Sequence, residues 1–251
     1  MIKINTLFPF KLYFYGSIDS TNNECKRLAL KGIEEALVIA NSQYAGKGRL
    51  SRSFFSPKNS GLYMSLLLRP TFSADKSAAV TTAAAVAVSL AIDEISGKNS
   101  MIKWVNDIYV ENRKICGILA ESGFSQNNSA LNYIILGIGI NLCKPEDDFP
   151  EDIKDKAGYL FDKKSLSKEE KLDIAKLIID RFLKIYNDIE NKDYMNIYRQ
   201  KSLLYGKKVS FEKNGQRFCG IVEYINDNAE IIINANGEKF FLFAGEVSLE
   251  F

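Results

Sequence analysis

The stretch Tyr133-Ile134-Ile135-Leu136-Gly137-Ile138-Gly139-Ile140-Asn141-Leu142 is an apolar run interrupted by two glycines. Its aliphatic residues predict a β-strand, because apolar and β-branched side chains favour the middle of a sheet. Glycines inside a strand often mark the close approach of a ligand or of another backbone. Gly137 and Gly139, followed by Asn141, are therefore typical of a binding surface, and equally of a β-bulge that ends in a turn asparagine.

Helices and further strands are predicted on both sides of this run, which indicates an α+β protein. Helices are predicted from Thr21 to near Gly32, over residues 74–95 with Gly97 as a left-handed cap, and over residues 167–190. Thr21 and Glu24 fit a capping box. Strands are predicted over residues 36–40, 62–68, 101–104, 107–110 and 114–121, with a hairpin turn at residues 111–113.

The pattern changes after Tyr205. Short strands are predicted over residues 209–211, 216–224, 230–233, 239–243 and 247–251. Asn214-Gly215 and Asn236-Gly237 lie between some of them, and Asn-Gly is a strong hairpin signal. We therefore predict a main domain over residues 1–204 and a small β-barrel module over residues 205–251.

The composition limits the function classes. The chain has 251 residues, a net charge of only +2 and no histidine. The absence of histidine excludes a Ser-His-Asp hydrolase, a Cys-His protease and a histidine metal site. The four cysteines are far apart in the sequence and favour a reduced, cytoplasmic protein. The longest apolar stretch, residues 78–92, is shorter than a membrane span, and neither a membrane nor DNA is expected as a partner.

A glycine- and cation-rich segment, Gly46-Lys47-Gly48-Arg49-Leu50-Ser51-Arg52, follows Gln43 in a predicted long loop. Glycine lets backbone N–H groups approach an anion closely, and Lys and Arg neutralise its charge. A carboxylate that attacks a phosphate needs such an arrangement, because the two reactants repel each other. The spacing alone fits an anion cradle and a solvated basic loop equally well.

Two further segments place polar groups near the predicted sheet. Lys103-Trp104-Val105-Asn106-Asp107, with Lys114 on the next strand, fits a site at a sheet edge and also an ordinary hairpin with surface charges. Ser20-Thr21-Asn22 fits a helix cap, and the free N–H groups of a helix N-terminus can also bind a polar ligand.

Taken in order, these segments resemble the catalytic domain of the biotin–protein ligase family. That family carries Asp-Ser-Thr-Asn, then Gln before Gly-Arg-Gly-Arg-Arg-Gly-Arg, then Lys-Trp-Pro-Asn-Asp, Lys-x-x-Gly-Ile-Leu and Gly-Ile-Gly-Ile-Asn. The corresponding segments here are Asp19 to Asn22, Gln43 with Gly46 to Arg52, Lys103 to Asp107, Lys114 to Leu119, and Gly137 to Asn141. Residues 244–249 resemble the last strand of the family's SH3-like module, so the resemblance covers nearly the whole chain.

The sequence departs from the family pattern in the loop and the hairpin. Lys47 replaces an arginine, Leu50 and Ser51 replace Arg-Gly, and Val105 replaces proline. Phe54 stands where the family usually has tryptophan. The chain also begins just upstream of the catalytic motifs, which suggests a short form without the N-terminal DNA-binding domain of the repressor-type members.

The resemblance implies a class II synthetase/biotin ligase fold, in which helices flank a mixed β-sheet, with a C-terminal SH3-like barrel. It implies that ATP activates biotin to biotinyl-5′-AMP with Mg²⁺. A lysine of a biotin carboxyl carrier protein or domain, from acetyl-CoA carboxylase or a similar carboxylase, would then accept the biotin. It assigns catalysis to Lys114, Arg49 and Lys47. The implied biotin-binding set is Ser20, Thr21, Asn22, Gln43, Gly46, Lys47, Gly48, Arg49, Lys114 and Gly117. The implied nucleotide-binding set is Arg49, Arg52, Phe54, Lys103, Asn106 and Asn141, with Asp107 as the candidate metal ligand.

Two other functions stay open on the sequence. A lipoate–protein ligase would share the fold and the adenylation chemistry, although the Gly-Lys-Gly-Arg and Lys-Trp-x-Asn-Asp segments favour biotin. A non-enzymatic biotin-binding relative would share the site, although the presence of Lys114 and Arg49 favours an enzyme. Some members of the family dimerise edge to edge, so a homodimer is also an option.

Overall fold

A seven-stranded mixed sheet forms the centre of the protein, of which the computed structural model describes residues 8–72, 77–124, 131–243 and 245–250. Its order is β1-β2-β3-β7-β6-β5-β4, and only the β1–β2 pair is parallel. The strands are β1 (Lys11–Tyr15), β2 (Ala36–Ala40), β3 (Gly61–Leu68), β4 (Met101–Lys103), β5 (Asp107–Val110), β6 (Arg113–Phe124) and β7 (Leu131–Asn141). The predicted mixed sheet and α+β class are confirmed.

One face of this sheet packs against a long apolar helix, α2 (Ser77–Ser96). Side chains alternate between the two faces of a strand, so Leu136, Ile138 and Ile140 of β7 all point to the α2 side, where they are buried. On the sequence, the apolar stretch of residues 78–92 is too short for a membrane span. The helix, however, extends to Ser96, and its length and composition would allow it to cross a membrane. Most of its residues are instead buried in the core, between the sheet and α3 (Lys168–Tyr186).

The other face of the sheet is covered at one end by helix α1 (Thr21–Leu30). Cys25, Leu28 and Ala29 of α1 form a small apolar cluster with β2, β3 and β7. The remainder of this face carries Gly117, Gly137 and Gly139 together with Tyr63, Ser65 and Leu119, and Phe54 from the loop of residues 41–60 lies against two of the glycines. The sheet therefore has one face filled with aliphatic side chains and one face whose centre lacks side chains of its own.

A second sheet of five antiparallel strands follows, in the order β11-β10-β9-β8-β12. Its strands are β8 (Lys208–Lys213), β9 (Gln216–Ile225), β10 (Ile231–Ala235), β11 (Glu238–Leu242) and β12 (Val247–Leu249). Both predicted Asn-Gly turns are present, with positive φ at both residues of each. The Trp104 indole N–H donates to the Ala229 carbonyl at 2.7 Å and links the two sheets. The SH3-like closure and the domain boundary at residue 205 stay predictions.

Several local predictions are corrected by the structure. Ser20, not Thr21, is the N-cap of α1, and it makes no side-chain cap hydrogen bond. The predicted capping box fails because the Glu24 carboxylate accepts hydrogen bonds from Tyr15 and Arg27 instead. A capping box does form at α3, between Ser167 and Glu170. Strand β1 and helix α4 (Tyr194–Gln200) were not predicted, and Cys219 is exposed, unlike the other three cysteines.

Candidate active site

Three glycines leave the open face of the sheet without side chains near its centre. Gly117 of β6 lies directly opposite Gly139 of β7, and Gly137 lies two residues before Gly139, on the same face. A Cβ atom at residue 137 would lie 2.2 Å from Asn22 Oδ1, and one at residue 139 would lie 2.5 Å from the Phe54 ring. Asn22 and Phe54 therefore lie against bare backbone, and the approach of a ligand to these glycines stays a prediction.

The start of α1 carries a buried polar cluster beside this floor. Thr21 donates to the Gln43 side-chain oxygen from its backbone N–H at 2.8 Å and from its hydroxyl at 3.1 Å. The Ser65 hydroxyl lies 2.7 Å from Thr21 Oγ1 and 2.6 Å from Asn22 Oδ1. Because one hydroxyl has one proton, it can serve only one of these acceptors at a time. Ser20, Thr21, Asn22 and Gln43 are thus brought together as predicted, and Ser65 joins them.

The loop of residues 46–54 is a tight hairpin-like turn over the floor. Phe54 N–H donates to the Gly46 carbonyl at 2.9 Å, and Gly48 N–H donates to the Arg52 carbonyl at 2.7 Å. A side chain at residue 46 would meet the Phe54 carbonyl at 2.4 Å, so only glycine fits. Leu50 and Ser51 both have positive φ. A glycine, as in the family pattern at residue 51, suits such backbone better than serine.

The three cations of the loop contact three different parts of the protein. Lys47 Nζ lies 3.2 Å from Glu121 Oε1 on β6. Arg49 donates to Asn106 Oδ1 at 2.9 Å and to the Gly245 carbonyl at 3.1 Å. Arg52 forms a two-point ion pair with Glu246, at 3.0 and 2.6 Å. These contacts connect the loop to the sheet, to the 103–107 segment and to the C-terminal sheet.

The 103–107 segment brings its polar groups to the edge of the floor. Lys114 Nζ forms an ion pair with Asp107 Oδ2 at 2.7 Å, and Asp107 Oδ1 is buried without a hydrogen-bond partner in the described part of the chain. Asn106 donates to the Ile118 carbonyl at 2.8 Å, so its amide is held in place for Arg49. Burial lowers the pKa of Lys103, and positive Lys114 adds to this effect while Asp107 opposes it. Val105 follows a cis peptide bond.

The two residues predicted to contact adenine lie on the same face but in different surroundings. The Phe54 ring covers Gly117 and Gly139 and packs edge-on against Tyr63, with ring centroids 6.4 Å apart. Asn141 ends β7 and donates its side-chain amide to the Gly158 carbonyl at 3.0 Å. Neither position tests the predicted contact with a nucleotide.

An open cleft of about 840 Å³ lies between the loop and the sheet. It is lined by residues 45–53 of the loop, Ala78 and Thr81 of α2, Val105, residues 118–121 of β6, and Phe243. Lys47, Arg49 and Arg52 all reach it, whereas Lys103, Lys114 and the Ser20–Asn22 cluster lie outside its lining. Gly117, Gly137 and Gly139 lie outside the lining as well, so the cleft is next to the glycine floor and does not include it.

Two polar residues of the site escaped the sequence analysis. Ser65 is fully buried, and Glu121 lines the cleft and accepts from Asn22 Nδ2 at 2.7 Å. A serine in the otherwise apolar strand Gly61–Leu68 was a usable signal for the first. Glu121 lies four residues after Gly117 in the same predicted strand. Residues an even number apart share a face, so this spacing was a usable signal for Glu121.

The comparisons with known proteins agree with this arrangement. The model of the biotin/lipoate A/B protein ligase family matches residues 15–141. The bifunctional ligase/repressor BirA of Bacillus subtilis is 31% identical over 245 residues, which cover 95% of this chain and 74% of that protein. The biotin–[acetyl-CoA-carboxylase] ligase of Paracoccus denitrificans is 27% identical, with 91% and 96% covered.

Among solved structures, the biotin protein ligase from Aquifex aeolicus in complex with biotin and ATP superposes with a TM-score of 0.77. It is 27% identical and covers 97% of this chain and 99% of its own. The chain therefore belongs to the biotin/lipoate A/B protein ligase family, and within it to the ATP-dependent biotin protein ligases.

Proposed function

We propose that this protein activates biotin with ATP to biotinyl-5′-AMP and transfers the biotin to a specific lysine of a biotin carboxyl carrier protein or domain. The observation that carries the proposal is the glycine floor, which has a buried polar cluster and several cations around it. Its polar end is at Ser20–Asn22 and Gln43, and its cationic end is at Lys47, Arg49 and Lys114. A ligand with a neutral polar head and an anionic tail matches this polarity.

The polar cluster is the proposed site of the biotin ring system. Thr21, Asn22 and Gln43 supply amide and hydroxyl groups that are buried or partly buried, and such groups favour ligands that replace their hydrogen bonds with equivalent ones. The Gly46, Gly48 and Gly117 backbone would lie along the ligand. The ring would thus be oriented with its carboxylate pointing towards the loop cations.

Lys47, Arg49 and Lys114 are the proposed catalytic residues. The biotin carboxylate and the α-phosphate of ATP are both negative, so their approach requires neutralisation. Fixed cations at the point where charge builds on phosphorus stabilise the transition state without reorganising at that moment. No side-chain nucleophile is needed, because positioning of the two reactants accounts for much of the rate enhancement.

The nucleotide would lie on the side of Arg49, Arg52, Lys103 and Asn106, with Phe54 and Asn141 near the base. Mg²⁺ in such sites is held by one or two carboxylates together with the phosphates. No cluster of three or more candidate metal ligands exists in the described ranges, which fits an ion that arrives with the nucleotide. Asp107, whose Oδ1 has no partner there, would contribute one ligand. The ion would neutralise charge on the phosphates.

Four further points belong to the proposal. The five-stranded C-terminal sheet would be the SH3-like module, joined to the loop through Arg52 and Glu246. A cytoplasmic location fits the free cysteines Cys25, Cys116, Cys143 and Cys219. A homodimer stays a prediction, as does the absence of a DNA partner.

The test is Lys114→Ala, measured by biotin-dependent exchange of pyrophosphate into ATP. We expect exchange to fall about 100-fold or more, the effect of removing one fixed group that stabilises developing charge. Lys98→Ala is the matched control, since Lys98 has the same 34% exposed side chain and an ion pair with Glu111, outside the site. Both variants should melt within a few degrees of the parent protein.

Full exchange activity in a well-folded Lys114→Ala variant would contradict the assignment. Lipoate in place of biotin distinguishes the related lipoate–protein ligase, because we expect exchange with biotin and none with lipoate. A protein that binds biotin without any exchange would instead be a non-enzymatic relative.

A further inference from the structure

Glu121 is a carboxylate in the site for which the proposed reaction has no use so far. It lies on β6, opposite Ile135 of β7, on the same face as Gly117 and at the rim of the cleft. Its side chain is 37% exposed. A negative charge here opposes the binding of an anionic ligand, so its presence beside the loop cations calls for an explanation.

One oxygen of Glu121 fixes the Asn22 amide. Asn22 Nδ2 donates to Glu121 Oε2 at 2.7 Å, and Asn22 Oδ1 faces the Ser65 hydroxyl at 2.6 Å. A carboxylate is an acceptor only, so it can face the NH₂ group and not the carbonyl of the amide. Asn22 is 4% exposed and lies against Gly137. Glu121 therefore decides which end of this buried amide faces the floor.

The other oxygen of Glu121 holds Lys47. The Nζ–Oε1 distance is 3.2 Å, and both side chains are more than a third exposed. Ion pairs of this exposure contribute about 0.2–1 kcal/mol. The pair is thus strong enough to give Lys47 a preferred position and weak enough for a ligand anion to replace it.

We propose that Glu121 is a positioning residue for biotin activation: it orients the Asn22 amide and holds the Lys47 ammonium until an incoming carboxylate takes that ammonium over. This inference rests on the proposed function, which places the biotin carboxylate near Lys47. When the biotin carboxylate binds, the Lys47 ammonium leaves Glu121 and pairs with that carboxylate instead. The Asn22 contact stays in place throughout, because it uses the other oxygen.

Glu121→Gln separates the two roles. Its amide oxygen can still accept from Asn22 Nδ2, but the competing charge for Lys47 is gone. We expect calorimetric titration to show biotin binding about twofold to fivefold tighter than in the parent, the affinity equivalent of an exposed ion pair. Biotin methyl ester has no carboxylate, and its affinity should not change. Glu121→Leu removes the acceptor for Asn22 as well as the charge, so it should weaken the ester by about tenfold and biotin by only about twofold to fivefold.

A double-mutant cycle with Lys47→Gln tests whether the gain passes through Lys47. In the Lys47→Gln background, Glu121→Gln should change biotin affinity less than about 1.5-fold. The inference is overturned by an absent gain in Glu121→Gln, by an equal gain for the ester, or by the same gain in the Lys47→Gln background, which would indicate simple charge repulsion. It is also overturned if Glu121→Leu binds both ligands normally. Failure of the parent protein to bind biotin would instead overturn the proposed function.

Discussion

The two faces of β7 differ in what their side chains do. On the α2 side, Ile134, Leu136, Ile138 and Ile140 are buried in the main core. On the other side, Gly137 and Gly139 carry no side chain, and Asn22 and Phe54 fill part of the space. Full burial of an aliphatic side chain contributes about 1.5–3 kcal/mol, whereas a glycine inside a strand costs about 0.5–1 kcal/mol relative to alanine.

This difference shows that stability and binding are separated within one strand. The aliphatic face stabilises the sheet strongly enough to tolerate the two glycines on the other face. The neighbouring strand follows the same rule, since Met64 and Leu66 of β3 point to the core while Ser65 points to the site. Substitutions on the aliphatic face should therefore lower stability and leave biotin affinity unchanged. Substitutions on the glycine face should mainly lower biotin affinity.

Ile138→Ala should give the largest effect, and it should be an effect on stability. Ile138 is 2% exposed, and truncation of a buried isoleucine to alanine costs about 2–5 kcal/mol. Urea unfolding measures this as a lower midpoint. Biotin affinity, measured well below the melting temperature, should stay within about twofold. Ile221→Ala on β9 is the control, because Ile221 is 45% exposed and should lose little. A loss below 1 kcal/mol in Ile138→Ala would contradict the division of the faces.

Gly137→Ala should mainly lower biotin affinity and should lower stability only a little. The new methyl group would lie 2.2 Å from Asn22 Oδ1, so Asn22 must move away from Ser65 and Glu121. We expect biotin affinity to fall about tenfold, the equivalent of a lost hydrogen bond. Unfolding should become easier by only about 1–2 kcal/mol, as for moderate overpacking.

Gly16→Ala is the matched control for this substitution, since a Cβ at residue 16 meets no atom within 4 Å. Its biotin affinity and its urea midpoint should both equal those of the parent. Normal biotin binding by Gly137→Ala would mean that Asn22 has no part in the site.

The sequence predicts some helices and strands of the fold better than others. Periodicity predicted β2, β3, β7, α2 and α3, because each buries a continuous apolar pattern. Strand β1 was missed because it is an edge strand whose partly exposed residues show no clear alternation, and α4 because it has only seven residues. Both elements are too short, or too mixed in burial, to show a clear apolar period.

The sequence motifs predicted which residues belong to the site, but not the hydrogen bonds between them. Order along the chain placed Ser20, Gln43 and Lys114 in one site. The contact of Asn22 with Glu121 spans 99 residues, and that with Ser65 spans 43. Such contacts depend on strand register, which local patterns do not encode. The capping box at α1 failed for a similar reason, since Tyr15 and Arg27 compete for Glu24.

Asp19→Asn should give the smallest effect on stability. Unlike the effect of Ile138→Ala on the core face, this effect should depend on pH. Asp19 precedes α1, the helix that covers the site face, and forms a two-point pair with Arg27 at 2.7 and 3.0 Å. The Arg27 hydrogen bonds hold the pKa of Asp19 well below its usual range. A carboxylate with a lowered folded-state pKa stabilises the protein above its unfolded pKa of about 3.9, and that contribution is lost as the pH falls below this value.

The parent should therefore exceed Asp19→Asn in stability by about 1 kcal/mol or less at pH 7, since Arg27 is 45% exposed. The difference should hold at pH 5 and shrink from pH 4 downwards in urea unfolding. The loss in Ile138→Ala should stay the same over that range, because no titrating group is removed. A constant Asp19→Asn difference down to pH 2.5 would mean that the charge of Asp19 does not hold α1 over the site face.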